Sequence, residues 1–258
     1  MLRFRSLGSG SSGNATIVEA GSGHYTTRLL VDCGLTIKAL DQRMALAGLN
    51  LSDLDAVFIT HEHGDHIGCA RALALREQIP VWMSPGTFAA ISSPDFEGLL
   101  RQAQDGAVID LGEMQLMPFT VPHDAREPLQ LRCSDGALSL GILTDLGHAT
   151  PHVLEQLRWC NALLLECNHE TTLLAASSYH PALKRRVGGR YGHLSNEAAG
   201  AIARAVCHSD LRAVVAAHLS AQNNRPDLAR AALAEALGWD AGEVGVADPL
   251  IGTAWVHV

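Results

Sequence analysis

No apolar run in this chain reaches the ~18 residues of a membrane span, and the N-terminal Met1-Leu-Arg-Phe-Arg-Ser-Leu-Gly-Ser9 lacks the apolar centre of a secretory signal. Membrane insertion and a secretory route are therefore not expected. The six cysteines, Cys33, Cys69, Cys133, Cys160, Cys167 and Cys207, include no Cys-x-x-Cys pair. Such scatter argues against a disulfide scaffold and for reduced, mostly buried thiols, so a cytoplasmic location is expected. Basic residues are also scarce: 19 Lys and Arg against 27 Asp and Glu give a formal charge of −8, which excludes a uniformly basic nucleic-acid-binding surface. Any polyanion must be met by a local patch. No repeat, low-complexity tract or linker divides the 258 residues, so 1–258 reads as a single domain with a substantial core.

Histidine, in contrast, is abundant. Of thirteen, several fall in Gly-, Asp- or Pro-flanked loops directly after apolar runs. The densest group is His61-Glu-His63-Gly-Asp65-His66, at the foot of a buried strand over Ala56–Thr60. In a strand-end loop His61 and His63 can converge on one ion, while Asp65 and His66, one step on, can face a second. Imidazoles with a carboxylate suit Zn²⁺, Mn²⁺ or Fe²⁺.

Around this group, Leu2–Leu7, Thr16–Ala20 and Arg28–Val31 alternate like the strands of a meander, with Gly8-Ser-Gly-Ser11-Ser12-Gly-Asn14 as the first turn. Helical spacing is read over Thr36–Ala47, Ile67–Glu77, Asn196–Cys207 and Pro226–Leu237. Strands are read over Leu138–Thr144, Ala162–Glu166 and Ala213–Ala217, and Thr253–Val258 is expected to close the second sheet. A β-rich half followed by strand–helix alternation suggests two sheets packed face to face with helices outside, an α/β four-layer αββα sandwich.

His61-x-His63-x-Asp65-His66 resembles the signature of the metallo-β-lactamase superfamily. The resemblance implies a bracing, non-ligand aspartate at Asp32 in Leu-Val-Asp32-Cys-Gly, and further ligands at His123, Asp145 and His218. His61, His63 and His123 would hold one metal, Asp65, His66 and His218 the other, and Asp145 would bridge them. On the residues alone, His123 could be a turn histidine, Asp145 a cap and His218 a strand-end hydrogen bonder. A bridging aspartate resembles the phosphodiesterase, nuclease and glyoxalase II branches, whereas lactamases typically carry cysteine there.

Two more motifs resemble phosphodiesterases of the tRNase Z and PhnP groups: Gly192-His193-Leu-Ser195-Asn196, and Glu166 in Leu-Glu-Cys-Asn-His169. By that resemblance Glu166 orients and charges His193, which acts as general acid on the leaving oxygen. Both residues could instead be structural, since Ser195 reads as the N-cap of the following helix. The Gly/Ser loop, Gly192-His-Leu-Ser-Asn and His218-Leu-Ser-x-x-Asn-Asn224 most resemble the YycJ (WalJ) group, regarded as cytoplasmic 5′-to-3′ DNA exonucleases. This implies a metal-dependent phosphodiesterase, a nuclease using a metal-bridging hydroxide, with Asp65 receiving its proton. Substrate contacts are expected from Ser11, Ser12, Asn14, His193 and Ser195, although a tight turn without a ligand also fits the loop.

The partner would be nucleic acid or a small phosphodiester. A cyclic-phosphate phosphodiesterase, or a thioester, lactone or lactam hydrolase using the same metals, stays open. So do His169, which could contact substrate or simply lie in a loop, and the basic stretch Lys184–Arg190, which could steer a nucleic-acid backbone or be a solvated face. Oligomeric state is not readable from the residues.

Overall fold

A computed structural model describes residues 1–258 as two seven-stranded sheets with helices on both outer faces. The first half comprises β1 (Leu2–Gly8), β2 (Ala15–Gly21), β3 (Thr26–Val31), α1 (Ile37–Leu46), β4 (Ala56–Phe58), α2 (Gly64–Ile67), α3 (Ala70–Glu77), β5 (Val81–Met83), α4 (Pro85–Ala90) and β6 (Leu100–Gln102). There follow β7 (Ile109–Leu111), β8 (Met114–Thr120), β9 (Leu129–Ser134), β10 (Ser139–Leu143), α5 (Pro151–Leu157), β11 (Ala162–Glu166), α6 (Thr171–Ala176) and α7 (Pro181–Val187). The last elements are α8 (Asn196–Val206), β12 (Ala213–Ala217), α9 (Pro226–Leu237), β13 (Val244–Val246) and β14 (Val256–His257).

The strand orders are β14-β1-β2-β3-β4-β5-β6 and β13-β12-β11-β10-β9-β8-β7. Each sheet has an antiparallel half and a parallel half, β3 to β6 in one and β10 to β13 in the other. Three apolar layers separate the four structural layers. Leu29, Val31 and Phe58 meet Leu131, Ile142 and Leu164 between the sheets. Leu30, Val57 and Ile59 face Leu40, Met44 and Leu73 of the helices on one side, while Leu163, Leu165 and Val214 face Ile202 and Leu233 on the other. Strands buried on both faces explain why runs such as Ala-Leu-Leu-Leu over β11 show no polar alternation. The αββα expectation holds, and no helix is long and apolar enough to cross a membrane.

Two expectations need correction. Thr253–Val258 does not close the second sheet. Thr253 N–H donates to Ser6 O at 2.9 Å and β14 pairs with β1 in the first sheet, while β13, a strand too short to stand out in the sequence, takes the second sheet's edge beside β12. Nor does one helix run over Ile67–Glu77. It breaks at Gly68, whose φ of +29° carries the backbone against Cys33 and Gly34, where a side chain would have no room.

Candidate metal centre

The parallel topology delivers the chemistry to one rim. Asp32 follows β3, Thr60 and His61 follow β4, Asp145 follows β10, Glu166 ends β11 and His218 follows β12, so strand ends of both sheets meet there. Asp32 and His218 both hold left-handed backbone, with φ of 61° and 52°. That conformation costs about 1–3 kcal/mol at a non-glycine residue, and it persists at the two turns that aim these side chains into the rim.

Three ring nitrogens converge in one group: His63 Nδ1 lies 3.0 Å from His61 Nε2 and 3.3 Å from His123 Nε2. In the second group Asp65 Oδ2 lies 3.7 Å from His66 Nε2 and 3.6 Å from His218 Nε2. Asp145 stands between them. Its Oδ2 is 2.9 Å from His66 Nε2, and its Oδ1 is 4.0 Å from His123 Nε2. The three residues predicted on each side of the aspartate, and the aspartate itself, are thus brought together.

Partners outside the groups decide what the inner nitrogens can do. A carbonyl oxygen only accepts, so His123 Nδ1 donates to Gly192 O at 3.0 Å and His218 Nδ1 to Thr144 O at 2.9 Å. Thr60 Oγ1 spends its single hydrogen on Asp32, 3.0 Å away, and therefore accepts from His61 Nδ1, also at 3.0 Å. His66 Nδ1 sits 2.7 Å from Asp32 Oδ2. In each neutral ring the remaining nitrogen is then a lone pair aimed inward. His218 Nε2 and Asp145 Oδ2 are buried and have no hydrogen-bond partner. Lone pairs facing lone pairs and a carboxylate are unfavourable without cations between them, so the donor set fits divalent metal ions.

The electrostatics agree. Burial holds His61 well below the usual imidazole range and lowers His123 as well. Burial would also lower His66, but Asp145 and Asp32 carry it up to about 10, and Asp145 does the same for His218, which is pushed well above the usual range. Asp145, despite its burial, is held well below the usual carboxylate range by His218 and His66. Without metal, protons on these rings occupy the positions that cations would take.

His193 borders the same cleft, its Nδ1 2.7 Å from Glu166 Oε1 and 3.1 Å from Asp145 Oδ1. Ser11 lines the cleft and Ser12 lies on the cavity beyond it. Asn14 and Ser195, expected at the substrate, do not line the cleft, although Asn14 Nδ2 lies 3.1 Å from His66 Nε2. Asn14 is buried, with Oδ1 accepting from Gly10 N–H at 2.8 Å and Nδ2 donating to Gly10 O and Asp65 O at 3.2 Å, so it braces the metal loop. Ser195 Oγ accepts from Ala198 N–H at 3.1 Å as the cap of α8 and lies outside the cleft lining. His169 is buried behind His193, its carbonyl accepting from Asn196 N–H at 2.9 Å. Arg186, from the basic stretch, also lines the cleft, and two cleft residues were not anticipated: Tyr179 and Asp124, whose Oδ1 is 3.5 Å from His123 Nε2. The acid directly after His123 was the available signal for Asp124, whereas nothing in the sequence marks Tyr179.

Fold and site together define a metal-dependent hydrolase. Residues 27–219 match the family model of the beta-lactamase superfamily domain. The chain belongs to the metallo-β-lactamase superfamily. It is 32% identical to the exodeoxyribonuclease YycJ of Bacillus anthracis over 250 residues, 94% of this chain and 92% of that protein. Against the exodeoxyribonuclease WalJ of Streptococcus pneumoniae the figures are 30%, 95% and 91%. Among solved structures, the metallo-beta-lactamase fold protein YhfI of Bacillus subtilis superposes with a TM-score of 0.74 at 18% identity, covering 99% of this chain and 98% of that one.

Proposed function

We propose that this protein is a dinuclear metal-dependent phosphodiesterase acting on nucleic acid, an exodeoxyribonuclease in its main activity. The observation that carries the reading is the 2.7 Å contact between His193 and Glu166 at the edge of the metal centre. It ties up Nδ1, leaves Nε2 as the ring's free nitrogen on the cleft side, and favours the charged form of the ring. A cationic donor beside the metals serves a departing phosphate-ester oxygen, whereas a thiolate leaving from a thioester needs none. Full-length similarity to two exodeoxyribonucleases supports the same choice.

Two divalent cations, Zn²⁺, Mn²⁺ or Fe²⁺, would supply a nucleophile at neutral pH and an electrophilic clamp on a phosphoryl oxygen. His61, His63 and His123 would hold one and Asp65, His66 and His218 the other, with Asp145 available to both. Asp65, a quarter exposed in the cleft, takes the proton released on attack, and His193 gives one to the leaving oxygen. Arg186, paired with Asp124, lines the cleft from the last turn of α7, and the exposed Arg185 beside it in that turn adds positive charge near where a nucleic-acid backbone would pass. The six free cysteines support a cytoplasmic setting.

The test is a panel of single-stranded DNA, RNA, a cyclic nucleotide and a thioester, with Mn²⁺ and Zn²⁺ each supplied to metal-free protein. Release of mononucleotides from DNA is expected. Turnover of the thioester alone overturns the reading.

A further inference from the structure

Behind the metal centre lies a second, half-enclosed cavity of about 730 Å³ that shares Ser11 with the cleft. Its wall includes Leu219 and Ser220, the two residues directly after His218. A volume of this size is that of a small-molecule site rather than of a polymer groove. Apolar wall is supplied by Leu219, Pro226, Val246 and Ile251, and the polar lining consists of Ser11, Ser12, Ser220, Asn224, Arg230 and Asp248.

Ser220 and Asn224 are bonded within the protein, and Asp248 Oδ1 accepts from the Leu250 and Ile251 N–H groups, whereas Ser11 and Ser12 are exposed with their donors free. Neither the N–H groups nor the hydroxyls of Ser11 and Ser12 have a partner within the protein. Arg230, from α9, donates through Nε to Val244 O at 3.0 Å and forms no ion pair, although the chain carries a formal charge of −8. A guanidinium without an ion-pair partner and the free N–H and O–H donors of Ser11 and Ser12, lining one cavity with apolar wall between, match an anion attached to a flat apolar body.

Resting on the phosphodiesterase reading, we propose that this cavity seats the nucleotide unit flanking the scissile phosphate. Its base lies against Leu219, Val246 and Ile251, and its own phosphate is held by Arg230. Ser11, at the junction, holds the connection between this unit and the metals. The cavity makes the enzyme select nucleotides over simpler phosphodiesters through contacts remote from the metals.

The test uses the metal-loaded protein with Arg230→Gln, Arg230→Lys and Ala221→Trp, the last at an exposed position on the cavity rim. Deoxyadenosine 5′-monophosphate should compete with single-stranded DNA about tenfold better than deoxyribose 5-phosphate, which lacks the base. Ala221→Trp should abolish that difference. Arg230→Gln should raise the KM for DNA about tenfold, and Arg230→Lys should restore part of it. All three variants should hydrolyse methyl p-nitrophenyl phosphate, which has nothing to fill the cavity, at the wild-type rate. Variants that bind the mononucleotide as wild type does, or that lose the small diester in step with DNA, overturn the cavity assignment while phosphodiesterase activity stands. A wild-type protein inert on every phosphodiester removes the function and the assignment with it.

Discussion

His193 Nδ1 lies 2.7 Å from Glu166 Oε1, and the other oxygen of that carboxylate accepts the backbone N–H groups of Leu146 and Leu194 at 3.0 and 3.1 Å. The carboxylate is therefore fixed from two sides and cannot turn away from the ring. Burial pushes His193 down, but Glu166 and then Asp145 carry it up to about 9. A base with a raised pKa stays protonated below that value, so the ring remains an acid donor through neutral pH and loses the role as pH climbs through 9. Glu166→Gln keeps an oxygen for the two N–H groups and removes the charge. The ring should then titrate closer to 6.5 in an NMR titration of metal-free protein. Activity at pH 8 should fall roughly 10²-fold, with the alkaline limb moved to lower pH. An unmoved titration in the variant contradicts the assignment.

Metal uptake should release protons. His66 titrates at about 10 between Asp32 and Asp145, so at pH 7 the metal-free ring is charged and a cation must displace the proton on Nε2. Apparent affinity should therefore rise with pH from 6 to 9, and calorimetry in buffers of different ionisation enthalpy should show net proton release. In metal-free protein the sign for stability is opposite. A pKa raised from 6.5 to about 10 contributes stability that is complete below 6.5 and is lost as pH rises through 10, so the melting temperature of metal-free protein should fall over that window. A melting temperature that rises from pH 7 to 10 speaks against the charged ring. Chelation should abolish turnover.

Of the proposed ligands, the His61–His66 cluster was legible from its place after an apolar run, whereas His123, Asp145 and His218 were legible only through the superfamily resemblance. His61, Asp145 and His218 follow β4, β10 and β12, and a parallel topology gathers such ends on one rim. Residues whose role depends on where the chain returns were not legible. Asn14 reads as a turn residue until Asp65 O is found beside its amide, and Ser195 reads equally as cap and as ligand until Ala198 N–H claims its hydroxyl. β14 pairs through two residues and β13 through three, too few for a pattern, so the two sheet edges could not be assigned. Gly68 interrupts a helical pattern only because Cys33 lies against it.

Asp32 contacts no inward nitrogen, yet it fixes two rings. It accepts from His66 Nδ1 at 2.7 Å, from Thr60 N–H at 2.9 Å and from Thr60 Oγ1, which in turn orients His61. Asp32→Ala should weaken metal binding about 10- to 100-fold. Asp65→Ala, in contrast, should abolish turnover while the melting temperature of metal-free protein holds, since Asp65 is partly exposed and its fold contact with Asn14 is through the backbone. Retained turnover in Asp65→Ala is incompatible with its proposed place at the second metal.

Lys184 and Arg185 lie in the last turn of α7, whose Leu183, Arg186 and Val187 line the cleft; Lys184 Nζ donates to Ala175 O at 2.6 Å and Arg185 is exposed and free of ion pairs, whereas Arg186 pairs with Asp124. If both end groups neutralise phosphates, the double variant Lys184→Ala with Arg185→Ala should reduce the slope of log affinity for single-stranded DNA against log salt by about 1.4. Turnover of a small diester should be unaffected. A slope equal to wild type makes this helix end a solvated face.

The tightest steric constraint at the site is Gly34. A methyl group there would land on the Asp65 carbonyl, which accepts from Asn14 N–H at 2.8 Å, and would stand 2.9 Å from that same nitrogen. These are backbone atoms, so no side chain can move aside. The same segment is stitched to the metal loop by Cys33 N–H donating to His66 O at 2.7 Å and Cys69 N–H to Cys33 O at 3.0 Å. Gly34→Ala must push the loop carrying Asp65 and His66 away from β3, at a cost of about 1–3 kcal/mol in stability, and it should weaken metal binding through the same displacement. Gly242→Ala meets nothing within 4 Å and serves as the control, with stability within about 0.5 kcal/mol of wild type. Equal melting temperatures and metal affinities for the two variants would mean that the loop yields freely, and that the close approach at Gly34 does not set the position of the ligands.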